Sequence, residues 1–144
     1  PCLQTNSYLT IKNISNKEHN ILCRKRIISE TTGADNYFCW GGSCYSSSTI
    51  VSPDFTTIAP GQSTTEFQGH FSSLSEPAAT AVVQYCFYPN SDPSDVTCLT
   101  VTYDGTGNTS IEDRKLGYMY FLIGLSEINE ECMNCHEWIQ HAIY

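Results

Sequence analysis

The chain has 144 residues, a net charge of −8 and 15% charged residues, against 40% apolar and 12% aromatic ones. That is the size of one domain, and its aromatic and β-branched content argues for a packed core rather than a disordered chain. An acidic surface repels phosphate backbones and anionic lipid, which argues against nucleic acid and membrane surfaces as partners, and the longest apolar run, Leu116–Leu125, is about half of the ~20 residues a spanning helix needs.

Along the chain, short strands alternate with turn signals. Ser7–Ser15 is rich in β-formers, with Leu9 and Ile11 on one face. After the polar turn Ser15–Glu18, the stretch His19–Ile28 puts Ile21, Cys23 and Ile27 on one face and Leu22, Arg24, Arg26 and Ile28 on the other. Arg24, Lys25 and Arg26 cannot all point inward, so one face or an edge is solvated there. Thr31–Asp35 is a turn, Asn36–Trp40 a short aromatic strand, and Thr49–Val51 an extended piece before Pro53. Ile58-Ala59-Pro60-Gly61 is a turn, Thr64–Phe71 a strand, and Ser72–Pro77 a polar loop. His70, alone in its strand, reads as structural.

The sharpest unit is a hairpin. Thr80–Tyr88 and Val96–Tyr103 both alternate, and Pro89–Asp95, with two prolines and two aspartates, is their loop. If Tyr88 faces Val96, Cys86 falls directly opposite Cys98 on the same face, within reach of a disulfide. Val83, Tyr85, Phe87, Leu99 and Val101 then line the core, joined by Leu9, Ile11 and Trp40. Six or seven such strands with turns every ~8–12 residues predict an antiparallel sandwich over residues 1–103.

Residues 104–113 read as a flexible linker and 114–144 as a tail of different character. Leu116–Leu125 would be apolar on both faces as a strand, while Ser126 is a helix N-cap followed by Glu127, Glu130 and Glu131 in the first turns. Ile128, Cys132, Cys135, Ile139 and Ile143 form a stripe at helical spacing. The fold class expected is therefore all-β, a sandwich with a partly helical C-terminal extension.

Eight cysteines, an even number, with few lysines, suit export to an oxidising compartment. The chain holds no basic-then-apolar leader, so the leader of an exported protein is expected to have been removed or to lie outside it. Cys39 and Cys44 flank Trp-Gly-Gly-Ser, a loop whose two glycines let the sulfurs meet; Cys2 and Cys23 are further disulfide candidates, with their partners left open. Tyr37, Phe38, Trp40 and Tyr45 read either as a ligand platform or as core packing. Cys132-Met133-Asn134-Cys135-His136 matches the attachment pattern of c-type haem, in which two thiols add to the vinyl groups and the imidazole binds the iron. Met119 and His141 are the candidates for the sixth position. His141 lies about 140° around a helix from His136, so the two cannot clamp one iron from one straight helix. The competing readings of these thiols are a zinc site and a plain disulfide or free thiol pair.

The run Asn36–Tyr45 with its Phe-Cys-Trp…Cys-Tyr loop, Val51-Ser52-Pro53, Ile58–Gly61, Phe67-Gln68-Gly69-His70-Phe71 and Asn90–Asp95 resembles the Ig-like β-sandwich module of secreted Bacteroidetes proteins, the cargo of type IX secretion. The resemblance covers about residues 8–103 and implies an exported structural or binding module with no catalytic residues to carry over. Cys86 and Cys98 are extra to that pattern, and the tail is unlike the family. The function expected is a secreted or cell-surface, non-catalytic module. It would meet another extracellular protein, a glycan, or further copies of itself through the tail. The alternative is a mono-haem electron-transfer protein or a haem-carrying subunit of an extracellular assembly.

Overall fold

The computed structural model describes the backbone of residues 4–73, 78–105, 109–114 and 119–130, and side chains over 5–73 and 78–105. Ten strands follow in order: β1 (Gln4–Asn13), β2 (His19–Glu30), β3 (Asp35–Trp40), β4 (Ser43–Cys44), β5 (Thr56–Ile58), β6 (Ser63–Ser72), β7 (Thr80–Pro89), β8 (Thr97–Asp104), β9 (Thr109–Arg114) and β10 (Met119–Glu130). They form two antiparallel five-stranded sheets, ordered β10-β1-β6-β3-β4 and β5-β2-β7-β8-β9. Their inner faces meet in one core, so the architecture is a β-sandwich.

The alternation in the sequence explains the core. Cys86 pairs with Cys98, Tyr85 with Leu99 and Val83 with Val101, and the odd-numbered residues of β7 and β8 point inward. Leu9, Ile11, Phe38, Trp40 and Phe67 come from the facing sheet, each fully or almost fully buried. Rings interlock across the interface in edge-to-face pairs: Trp40 on Phe87 at 5.1 Å, Phe67 on Tyr85 at 4.8 Å and Phe67 on Phe87 at 5.4 Å between centroids. Each such pair adds about 0.5–1.5 kcal/mol beyond the area it buries.

One end of the core is polar. Asn36 on β3 donates from Nδ2 to the His70 carbonyl (2.9 Å) and to the Tyr85 hydroxyl (3.1 Å). The Tyr85 hydroxyl meets that of Tyr103 at 2.9 Å, and Tyr103 meets Ser7 Oγ at 2.7 Å. An amide N–H can only donate, so Tyr85 accepts from Asn36, which leaves its own proton for Tyr103 and that of Tyr103 for Ser7. The chain of hydroxyls crosses the sandwich from β3 through β7 and β8 to β1. It passes over Gly69 of β6, whose missing side chain makes the room.

Burial holds both phenols neutral. Tyr103 is pushed up to about 12, and desolvation with the neighbouring Tyr103 hydroxyl carries Tyr85 well above the ordinary phenol range. The unfolded chain ionises both near pH 10. Above that pH the unfolded state holds fewer protons than the folded one, so stability present below pH 10 is lost as pH rises towards 12. The expected loss is about 1.4 kcal/mol per pH unit for each phenol. Urea midpoints at pH 9 and pH 11 test this. The midpoint falls in the parent and falls less in Tyr103→Phe; an unchanged parent midpoint refutes the coupling.

Several expectations are corrected. The stretch read as linker, 104–113, carries most of β9, which pairs along β8 from Cys98↔Arg114 to Tyr103↔Thr109. Ser126 does not start a helix: residues 119–130 are one strand, antiparallel to β1 from Asn13↔Met119 to Gln4↔Glu130. Pairing with β1, which otherwise has β6 alone beside it, overrides the local capping signal by giving both backbones hydrogen-bond partners. Residues 131–144, with the rest of the predicted helix, lie outside the described residues. Ile27 does not share the interior with Ile21 and Cys23. Ile27 keeps the alternation, pairing with Val83, but a register shift follows directly after it and Ile27 is 39% exposed. Lys25 takes the inward position instead, at 3% exposure.

Candidate functional site

Three surface regions and the cysteines are the candidates. The Cys39–Cys44 loop is a two-residue hairpin. Cys39 pairs with Cys44 and Trp40 with Ser43, and Gly41 and Gly42 both take positive φ (66° and 87°), as the tight turn requires. Its aromatics do not form a ligand platform. Phe38 and Trp40 are fully buried, and Trp40 Nε1 donates to the Ile21 carbonyl at 2.9 Å. Tyr45 packs edge-on against Phe38, and its hydroxyl meets the Trp40 carbonyl (2.6 Å) and Asp54 Oδ2 (2.9 Å). Tyr37 stacks on His70 at 4.5 Å. Glu66 accepts from the Gly41 N–H at 2.9 Å and from Thr56. Asp54 and Glu66 therefore anchor this loop to the sandwich.

At the end of the sandwich where β1 passes into β2 and β7 into β8, the loops frame a cleft of about 610 Å³ lined by Ile14, Lys17, His19, Pro89, Asp92 and Asp95, among others. Buried Asn13 fixes the first loop. Its Nδ2 donates to the Lys17 and Ile58 carbonyls, both at 2.8 Å, and its Oδ1 accepts from the Ser15 N–H and hydroxyl. Asp92 orders the second by accepting from the N–H and hydroxyl of Ser94.

The third region is the outer margin of β2. Only its first residues, His19–Ile21, pair with β5. The segment 50–52 then takes over, with the Lys25 N–H donating to the Ile50 carbonyl (2.7 Å) and the Ser52 N–H to that of Cys23 (2.8 Å). Lys25 sends its ammonium inward to the carbonyls of Asn36 (2.7 Å) and Ser47 (2.8 Å). Loss of water around it lowers its pKa, opposed by the charges of Glu30 and Asp35. A groove of about 450 Å³ opens here, lined by Arg24, Arg26, Ile27, Ser47, Ser48 and Ile50 besides Lys25. The sequence hinted at it only through the three consecutive cations. That Lys25 would be the inward one needs the two carbonyls that the fold brings to it.

Among the described residues two disulfides are closed, Cys39–Cys44 and Cys86–Cys98. Cys23 is not in a disulfide; it is a buried free thiol in the core cluster, because its strand faces the apolar interior. Cys2 lies outside the described residues. Burial raises the Cys23 thiol well above its ordinary value, so it stays protonated and shielded at neutral pH. Iodoacetamide labelling with peptide mapping is expected to leave Cys23 unmodified in native protein and to modify it fully in denaturant. Ready native labelling would mean that β2 is not seated against the core.

Of the candidate haem residues, Cys132, Cys135, His136 and His141 lie outside the described residues, and Met119 begins β10 opposite Asn13. Among the described residues no three His, Cys, Asp or Glu side chains are grouped closely enough to hold a metal ion, and no helix there is long and apolar enough to cross a membrane. Comparison with protein-family models, curated proteins and solved structures finds no match.

Proposed function

We propose that this protein is a non-catalytic module of the extracellular space or cell surface, an Ig-like sandwich, in line with type IX secretion cargo, that binds another extracellular protein or a glycan. The observation that carries the reading is the pair of disulfides within one small sandwich, since such bonds persist in oxidising compartments and are rare in the cytosol. Strand order supports the Ig-like part. β1-β6-β3 facing β2-β7-β8 corresponds to the B-E-D and C-F-G strands of that fold, and β10 pairs with β1 where strand A would stand. In that correspondence the 610 Å³ cleft lies between the B–C and F–G loops, which carry recognition in variable domains.

Fractionation of the source cells with an antibody to this chain, followed by non-reducing mass spectrometry, tests the reading. The expected result is protein in the extracellular or surface fraction with Cys39–Cys44 and Cys86–Cys98 intact. Cytosolic protein with these four thiols free would overturn it.

A further inference from the structure

The outer margin of β2 is an unfinished sheet edge. Cys23 and Lys25 turn their backbone groups towards segment 50–52, which accepts and donates the hydrogen bonds described above. By strand alternation Ile27 turns its N–H and C=O the same way, but segment 50–52 does not reach it. Among the described residues, Arg26–Glu30 have a strand neighbour only in β7. Sheet edges left like this template the addition of another strand unless something blocks them. The inward Lys25 and the register shift after Ile27 limit how long an added strand can be, but the flank beside Ile27 is apolar and open. Ile27, Ile28 and Ile50 are 39%, 52% and 62% exposed, and the groove beside the edge is shaped in advance. Lys25, reaching inward from β2, holds the Ser47 wall of that groove through its hydrogen bond to the Ser47 carbonyl.

Charge selects the occupant. Three of the chain's seven Lys and Arg residues are consecutive here, Arg24-Lys25-Arg26, on a chain of net charge −8. Lys25 is turned inward, Arg26 is exposed, and Arg24 lies over the Tyr88 ring at 5.6 Å. We infer that this edge binds an extended segment of a partner protein by strand addition, with apolar residues alternating with acidic ones, main-chain hydrogen bonds formed along Ile27, and carboxylates meeting Arg24 and Arg26. A second copy is the poorer occupant. A two-fold contact would set this cationic edge against itself, and the two bodies share a large net charge of one sign.

This inference deepens the binding-module reading and rests on it. The probe is a fluorescein-labelled eight-residue peptide alternating valine and glutamate, titrated into the full chain at low salt and followed by anisotropy. A valine–lysine peptide of the same pattern is the comparison. The acidic peptide is expected to bind saturably and at least about tenfold more tightly than the basic one. Ile27→Pro removes the outward N–H at an edge position, where proline is tolerated, and is expected to weaken binding about tenfold or more. Arg26→Glu is expected to reverse the preference between the two peptides. Near-UV circular dichroism checks each variant's fold, and the charge reversal carries the test alone if Ile27→Pro does not fold. The inference is overturned by absence of saturable binding, by equal affinity for the two peptides, by a folded Ile27→Pro that binds as the parent does, or by sedimentation showing that the edge is already occupied by a second copy. Any of these leaves the fractionation result standing, so the two readings fail separately.

Discussion

Gly69→Ala is expected to be among the most damaging single-methyl additions in this protein. A Cβ at Gly69 would lie 2.3 Å from the Tyr103 hydroxyl, 2.7 Å from Ser7 Oγ and 2.8 Å from the Tyr85 hydroxyl. None of the three can step aside cheaply. Both tyrosines are fully buried, Tyr103 stacks against Phe71 at 5.6 Å and Tyr85 is edge-on to Phe67. The hydroxyls also hold each other, so moving one leaves another unsatisfied in the core, at about 1–3 kcal/mol for each group. Overpacking a tight core costs about 1–3 kcal/mol by itself. A total of about 3 kcal/mol follows, equivalent to a fall in Tm on the order of 10 °C. The cycle with Tyr103→Phe makes this specific. Phenylalanine alone costs about 1–2 kcal/mol by breaking the chain of hydroxyls, but it also removes the closest obstruction to the new methyl. The double variant is therefore expected to be more stable than the sum of the two changes predicts, by more than ~0.5 kcal/mol. Strict additivity, or a Gly69→Ala protein as stable as its parent, would show that the hydroxyls are not packed against β6.

How much of this was legible in the sequence differs from element to element. The β7–β8 register followed from two signals: alternation forbids a one-residue slip, which would turn the whole apolar set outward, and the Pro89–Asp95 loop sets Tyr88 against Val96. Together they placed Cys86 opposite Cys98, as observed. The hydroxyl chain was not legible. Ser7, Asn36, Gly69, Tyr85 and Tyr103 come from five strands, and nothing local to any of them says that they meet. Gly69 in particular reads as a weak point in a strand until the partners above it are known. The exposure of Ile27 was hidden in the same way, since its alternation matches that of Ile21 and Cys23 and nothing local shows that burial ends before it. Where local and tertiary signals conflicted, tertiary pairing prevailed. Ser126 and the acidic residues after it have the chemistry of a helix start, yet residues 126–130 lie along β1 as strand. Of the candidate sites, the cleft at the loop end was legible as loops, and the groove on β2 only as a run of cations that had to be solvated somewhere.

The two disulfides are expected to contribute unequally and to be reduced in a fixed order. A crosslink stabilises mainly by restricting the unfolded chain, and more so the longer the loop it closes. Cys86 and Cys98 are 12 residues apart and Cys39 and Cys44 are 5 apart. Replacing the first pair by alanine should therefore cost about 3 kcal/mol, and the second about 2 kcal/mol. Accessibility sharpens the contrast. Cys86 is 1% and Cys98 9% exposed, and β9 runs alongside Cys98 with Arg114 opposite it. Cys44 is exposed at the tip of its hairpin. Thiol–disulfide exchange needs the attacking thiolate to reach a sulfur. Graded dithiothreitol followed by alkylation and peptide mapping should label Cys39 and Cys44 first, with little loss of fold, because the hairpin remains held through Tyr45, Asp54 and Glu66. Cys86 and Cys98 should be labelled only as the hairpin opens, together with the loss of near-UV signal. Simultaneous labelling of both pairs, or equal stability losses to within about 0.3 kcal/mol, would mean that the Cys86–Cys98 bond sits on a hairpin that frays on its own. The hairpin supplies both the inner face of the core and the neighbour on which β2 depends, so such fraying would also loosen the edge proposed to take a partner strand.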